Sequence, residues 1–556
     1  MCDENDLSSD DEYEFDHITH QSQDSDTEQD LSDNDEQGVI SSQDGNQFYY
    51  TARDKVTVWS SQPTVTDSST TSTKTKLEIG PVLNATTEME CWNQFITNDM
   101  LKQIHHHTNF EIKQRQLGNK NPSRAFIMKE TTMEELLALL GLLYLAGLNH
   151  SNRQNLSDLW RNDGTGVEIF RTTMSLQRFF FLQRCLRYDD AATRQERRKV
   201  DNISQIRLIF EQFVSNCMNN YIPSKYLTLG EKLEAFRGKC SFRQHCPNKT
   251  SKYGIKLYAL VDSENFYTVN LQIDSGKQPN SKFSQSNATM DVVDKLVQPV
   301  TQSNRNITFD NRFMSVSLLK HLQDNHHLTS IGTIPKNNKE IPPNFVTTRG
   351  REVYSSMYAF QENMTLVSYI PKKSKVVLLL SSLHHNQRTN PDSGNKQKPE
   401  IITFYDSTKK GVDVVDELCA KYDVSRNSSR WPTTVFYAVM NIAAINSFIV
   451  YRENVKSQVN RKDFIRKLGL TMLEGHLSLR KNVETLPREL RKRIHERTGE
   501  TLGYSPAKSS KTYKRCKDCP SAKDRKTKNT CNNCNKPICG EHIVPVCQTC
   551  IHLYAD

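Results

Sequence analysis

The alternation of apolar and polar positions marks out a strand-rich stretch in the middle of this chain. In Tyr253–Asp262, Ile255, Leu257, Ala259 and Val261 alternate with Lys256, Tyr258 and Leu260, the period-2 pattern of a partly buried strand. Turn residues Ser263, Glu264 and Asn265 follow, and residues 266–273 complete a predicted hairpin. A helical run begins at Met290 with Asn287 as a candidate cap. Residues 306–310 (NITFD) read as a strand and 315–322 as an amphipathic helix. This order of strand, hairpin, helix, strand and helix predicts that Asp262 and Asp310 end neighbouring strands of one sheet. Residues 410–418 (KGVDVVDEL) open another helix, in which Asp413 and Asp416 lie about 60° apart on one face.

Upstream the period lengthens to that of helices. It begins near 90–104 and is strongest at 131–147 (TTMEELLALLGLLYLAG), with Thr132 as N-cap, Glu135 three residues on and Gly147 as stop. Further helices are expected at 175–186 and 203–219. His105, His106 and His107 cannot all face one ion from a helix, so they read as a polar helix end.

Charge divides the chain. Residues 1–45 hold 16 acidic and no basic side chains, whereas the whole chain carries +9, so everything after the leader is strongly basic. A basic body suits a polyanion, and the leader is too polar to fold alone. Residues 46–80, rich in Ser and Thr, read as linker. The absence of an apolar run of about 18 residues and the acidic N-terminus lead to the expectation of a soluble, intracellular protein with no membrane partner.

Seven of the 14 cysteines fall in the last 41 residues. Cys516–Cys519, Cys531–Cys534, Cys539–His542 and Cys547–Cys550 form four pairs, each with two residues between its members. Eight such ligands match two structural Zn²⁺ sites, without which so short a segment would not fold. A cross-brace, with the first and third pairs on one ion, is expected; consecutive pairing remains an alternative.

Carboxylates that converge repel one another unless cations lie between them. Asp262, Asp310, Asp413 and Asp416 would suit two Mg²⁺ or Mn²⁺ ions clamping the oxygens of a phosphoryl transfer. Taken singly, each is more simply a solvated strand end or cap. Arg237, Arg243 and Lys249, in a run broken by aromatics, could hold phosphates. Trp431, beside Arg426 and Arg430, either stacks on an unpaired base or fills the core ahead of a long apolar helix. Residues 480–528 hold 16 basic against 6 acidic side chains, a nuclear-localisation patch, a DNA contact or a solvated helix face.

Four stretches carry a resemblance: 233–262 (LEAFRGKCSFRQHCPNKTSKYGIKLYALVD), 306–318 (NITFDNRFMSVSL), 411–418 (GVDVVDEL) and 425–451 (SRNSSRWPTTVFYAVMNIAAINSFIVY). With the cysteine-rich tail, they resemble piggyBac-type transposases, cut-and-paste enzymes of the DDE/D class, from about residue 80 to the C-terminus. The resemblance implies an α+β multidomain protein with a ribonuclease-H-like mixed sheet. It implies a disordered leader and linker at 1–79, and a helical DNA-binding and dimerisation domain at 80–252 and 423–500. The catalytic domain would be 253–335 and 400–422, with a small β-rich insertion at 336–399, a linker at 501–512 and the zinc module at 513–556. It makes Asp262, Asp310 and Asp413 the catalytic, metal-holding acids, with Asp416 in support and Trp431 stabilising distorted bases. It implies a nuclear homodimer acting on transposon-end and target DNA, TTAA targets and hairpin intermediates.

This chain departs from the pattern twice. The family has an acidic residue where Gly230 stands in 227–231 (LTLGE), and it is more basic than 335–339 (PKNNK), where only Lys336 and Lys339 keep the charge. A domesticated, non-catalytic DNA-binding or chromatin protein is the rival reading. A zinc-dependent protein adaptor, or a ubiquitin-ligase role for the tail, stands further behind.

Overall fold

The computed structural model describes residues 29–30, 40–42, 48–63, 79–118, 126–150, 155–247, 251–276, 288–310, 312–456, 458–483, 486–497, 513–530 and 536–543. They fall into two compact units, residues 1–477 and 478–556.

The first unit is built on one mixed sheet. The two- and three-residue strands Gln29–Asp30, Ile40–Ser42 and Gln244–His245 add to it. Its longer strands in chain order are β1 (Phe48–Thr51), β2 (Val58–Ser60), β3 (Tyr226–Ala235), β4 (Tyr253–Asp262), β5 (Thr268–Ile273), β6 (Asn306–Phe309), β7 (Thr329–Thr333), β8 (Ser356–Gln361), β9 (Met364–Tyr369) and β10 (Lys375–Ser381). Across the sheet they run β5-β4-β3-β6-β7-β10-β9-β8-β2-β1. β4 and β5 form the expected hairpin. β3 pairs antiparallel with β4 and parallel with β6. The strands of Asp262 and Asp310 are therefore not neighbours, because β3 lies between them. β3 begins at Tyr226, inside the stretch expected to be helical.

The segment 336–399 is not a separate β unit. Its strands β8–β10 continue the sheet, with β10 joined to β7. Gln29–Asp30 of the leader, expected to be disordered, pairs with β10. Residues 40–42 and 48–60, expected to be disordered leader and linker, close the far edge: β2 pairs with β8, β1 with β2, and Ile40–Ser42 with β1. The apolar content of 48–60 explains why. Trp59 is fully buried with its Nε1–H on the Glu340 carbonyl, and Tyr50 packs edge-on against Phe345 at 5.2 Å.

The helices that matter here are α1 (Asn98–Leu117), α2 (Met133–Leu148), α3 (Leu176–Cys185), α4 (Arg207–Asn219), α5 (Thr289–Val297), α6 (Val316–His326), α7 (Glu400–Thr408), α8 (Gly411–Lys421) and α9 (Trp431–Val455). α2 begins as expected, with the Glu135 N–H donating to Thr132 Oγ1. It runs through Gly147 to a cap at Asn149. The Glu135 carboxylate turns away from the cap and accepts from Arg178 of α3, a buried ion pair at 2.6 Å. α9 is long and apolar enough to cross a membrane, yet its apolar window is wholly buried in the protein. It is the core post of the helical layer, hydrogen-bonded at the Met440 carbonyl by the Tyr144 hydroxyl of α2.

Candidate active site

The sheet brings acids together at the C-terminal end of β6. Phe309 pairs with Leu229 of the parallel strand β3, so the next residues, Asp310 and Gly230, stand side by side. Gly230 faces α8, where an added Cβ would meet Val412 Cγ2 at 3.1 Å. Asp413 follows Val412 in the first turn of α8. That turn comes close because residue 411 is glycine: a Cβ there would sit 2.6 Å from Thr228 Oγ1. The end of α7 is pinned beside it. Thr228 donates to the Thr408 carbonyl at 2.6 Å, and Thr308 to Thr408 Oγ1 at 2.8 Å.

Asp310 is half-buried and accepts from the Arg312 N–H at 3.0 Å, while Asp413 is exposed. Both act on the Tyr405 hydroxyl of α7. Burial pushes its pKa up, and the fields of Asp310, Asp406 and Asp413 add to the rise against a hydrogen bond from Thr333. Asp416 sits one turn further along α8, and its Oδ1 accepts from Lys232 of β3 at 2.5 Å. Lys232 also pairs with Glu234 at 3.1 Å. Burial opposes the charge on Lys232, but Cys419, Glu234 and Asp416 hold its ammonium well above the usual range. Lys232, Glu234, Asp416 and Cys419 line a cleft of about 1020 Å³ together with Arg237, Arg243 and Tyr253.

Asp262 belongs elsewhere. It pairs with Leu227, three residues before Gly230 on β3, an offset of ~10 Å along the strand. It is fully buried. Its carboxylate accepts from the Ser224 N–H at 2.6 Å, Ser224 Oγ at 2.7 Å, the Glu264 N–H at 2.9 Å and Asn265 Nδ2 at 3.3 Å. The cation in its field is Arg305, immediately before β6 and so at the end opposite Asp310. The expected quartet resolves into Asp310, Asp413 and Asp416 at one end of the sheet and Asp262 at the other.

The second unit assembles half of the cysteine pattern. Cys516, Cys519, Cys539 and His542 place their ligand atoms within 4.8 Å of one another. These are the first and third pairs, the combination a cross-brace requires, and a Cys₃His set fits tetrahedral Zn²⁺. Burial raises the Cys516 thiol, but the N–H groups of Cys539 and Asp518 and the His542 ring outweigh it and bring the thiol down to about 6, towards the thiolate that zinc binds. Cys531, Cys534, Cys547 and Cys550 lie outside the described residues.

Comparison with known proteins gives this geometry its context. The family described as Transposase IS4 matches residues 87–448. A solved structure, the cryo-EM structure of a piggyBac transposase synaptic complex with hairpin DNA, is 34% identical with a TM-score of 0.73, covering 85% of this chain and 100% of that one. The chain belongs to the piggyBac transposase family. Human PiggyBac transposable element-derived protein 3 is 22% identical over 360 residues, which is 62% of this chain and 59% of that protein. The human chimeric ERCC6-PGBD3 protein matches at the same identity over 33% of its length. This chain thus spans less than two thirds of the curated relatives it matches.

A piggyBac transposase implies divalent cations, and the donors can be tested against that need. Asp310 and Asp413 suit one Mg²⁺, which takes one or two carboxylates plus water and phosphate oxygens. A pair of ions does not fit. Gly230 offers no side chain between them, and Asp416 is engaged by Lys232.

The expected DNA contacts divide by exposure. Arg237 and Arg243 are exposed on the cleft, with Arg243 donating to the Arg237 and Gly238 carbonyls. Lys249 lies outside the described residues. Lys339 is exposed and Lys336 half-buried, and their carbonyls accept from the Asp54 N–H and Arg53. Arg426 is buried, donating to the carbonyls of Asp423 and Ser425. Arg430 is half-buried and reaches the Arg184 carbonyl at 3.4 Å. Trp431 is buried and packs edge-on against Phe242 at 5.0 Å.

Proposed function

We propose that this chain binds transposon-end and target DNA as a piggyBac-type transposase, with a cutting centre one carboxylate short. Gly230, level with Asp310 and facing the helix of Asp413, carries the proposal. Phosphoryl transfer by two clamped ions needs donors on both sides of the reacting phosphate, and here one wall is bare. As it stands, the chain holds DNA without cutting at a transposase's rate. The proposal includes a homodimer that grips two ends, a two-zinc tail that recognises end DNA, and a nuclear location driven by the basic stretch 480–528. With cutting restored, TTAA targets and hairpin intermediates follow from the family.

A second reading keeps an active enzyme, with Asp416 as the third donor. It is favoured by the shared face of Asp413 and Asp416 on α8, and it requires Asp416 to leave Lys232.

The test is strand cleavage with Mg²⁺ on the DNA that borders this gene, measured beside DNA binding. Wild type should bind and release no 3′-hydroxyl. Gly230→Asp, or Gly230→Asp with Val412→Ala to admit the new side chain, should gain cleavage that Asp310→Asn then abolishes. Cleavage by wild type that is lost in Asp310→Asn would establish the second reading. Failure to bind end DNA at all would overturn both.

A further inference from the structure

A second cluster of ligating side chains lies away from the acids. Asp294 is on α5, and His321 and His326 are on α6. His321 Nε2 lies 2.7 Å and His326 Nε2 3.1 Å from the same oxygen, Asp294 Oδ1. The three side chains can each offer one ligand atom, all within 4.8 Å of one another. Ligands held at ~2.0–2.2 Å around a tetrahedral ion stand a little over 3 Å apart, so small rotations of these side chains would make room for one.

The outer nitrogen of His326 is held as in metal-bound histidines. His326 Nδ1 is 2.8 Å from Thr301 Oγ1, which can accept its proton. His321 Nδ1 accepts from Asn325 Nδ2 at 2.8 Å, so an ion on His321 Nε2 requires the Asn325 amide to present its oxygen instead. The Thr301 partner fixes the His326 ring and aims its Nε2 at the ion. Backbone geometry fixes the pair as well. His327 ends α6 in the left-handed region with φ of 49°, and the His326 carbonyl accepts from the Gln302 N–H at 2.7 Å. Exposure rises from 9% at His326 to 25% at His321 and 30% at Asp294, so the cluster has a closed inner side and an open outer one.

We infer that Asp294, His321 and His326 bind a divalent ion of the zinc class, with water in the fourth position, fastening α5 to α6. Two imidazoles and one carboxylate suit zinc, cobalt or nickel and are wrong for the all-oxygen shell of Mg²⁺. The site sits at the Arg305 end of β6, where the Thr329 N–H donates to the Arg305 carbonyl. It is therefore at the opposite end of that strand from Asp310.

Cobalt titration of the full chain separates this site from the cysteine sites, because only thiolates give a strong ligand-to-metal charge-transfer band. His321→Gln should bind one equivalent less than wild type, with the charge-transfer band unchanged. His321→Cys should keep that equivalent and add charge-transfer intensity. Asp294→Asn should weaken the same equivalent, and circular dichroism on each variant checks folding. Equal stoichiometry in wild type and folded His321→Gln would reduce the cluster to hydrogen bonds between two imidazoles and a carboxylate. Loss of charge-transfer intensity together with the equivalent would mean the missing metal came from the cysteines, and would equally overturn the site.

Discussion

Asp262 and Asp310 each close a strand, each precede a turn, and lie two strands apart in the same sheet, yet they do opposite things. Asp262 is sealed, its two oxygens shared among Ser224, Glu264 and Asn265 with Arg305 nearby. Asp310 is half open, beside an exposed Asp413 and a glycine. A carboxylate with every lone pair used inside the protein organises the chain. One that faces solvent beside another acid can serve a ligand. The difference comes from the direction of β3, which antiparallel pairing lines up with Asp262 near its start and parallel pairing lines up with Asp310 near its middle.

That comparison is broken most directly by truncating both acids. Asp262→Ala would strand the buried donors of Ser224 and remove the carboxylate from Arg305, whose guanidinium is already pulled down by burial. Removing one partner of a buried charged network costs about 3–5 kcal/mol. Asp310→Ala should change stability by less than about 1 kcal/mol, as partly exposed positions do. Urea denaturation of the two variants measures this. Equal losses would mean that Asp310 is as structural as Asp262, and the functional assignment of the open end would fail.

Trp431 sharpens the same distinction at a smaller scale. As a core residue against Phe242, its replacement by Ala should cost about 3 kcal/mol of stability, with DNA affinity per folded molecule unchanged. A base-stacking Trp would show the reverse, a loss of ~1–3 kcal/mol in binding with the fold nearly intact.

Much of this is legible in the chain itself. The β4–β5 hairpin, the starts of α2 and α3 and the Cys₃His set all follow from periods, caps and spacings that depend on near neighbours in sequence. Local pattern misplaces Asp262 for a reason equally local. A strand ending in an acid and a turn looks the same whether the carboxylate caps its own turn, as it does through the Glu264 N–H, or points at a site. Only the insertion of β3 between β4 and β6, a pairing over some 80 residues, tells the two apart. The same non-local pairing folds 48–60 and 336–399 into the main sheet, where composition alone indicates a linker and a separate unit. Gly230 is legible as a departure, and its meaning appears once the register sets it beside Asp310. The His321–His326 pair leaves no helical-face signal, because five residues on a helix turn the second side chain away. The end of α6 brings it back.

The smallest expected effect concerns the cleft beside the open end. Arg237 and Arg243 are exposed there, and Arg243 lies over the Tyr253 ring at 5.6 Å. Replacing both with Ala leaves the buried core untouched, so stability should move by no more than about 0.5 kcal/mol. If they hold DNA phosphates, the slope of log K against log salt should fall by about 1.8, close to 0.9 for each phosphate no longer neutralised. Buried Arg426 gives the contrast: its replacement should lower stability first and leave the salt slope of the folded fraction alone. A salt slope that responds to Arg426 and not to Arg237 and Arg243 would move the DNA path off this cleft. It would also take the DNA away from the part of α8 that lines the cleft, where Asp416 sits.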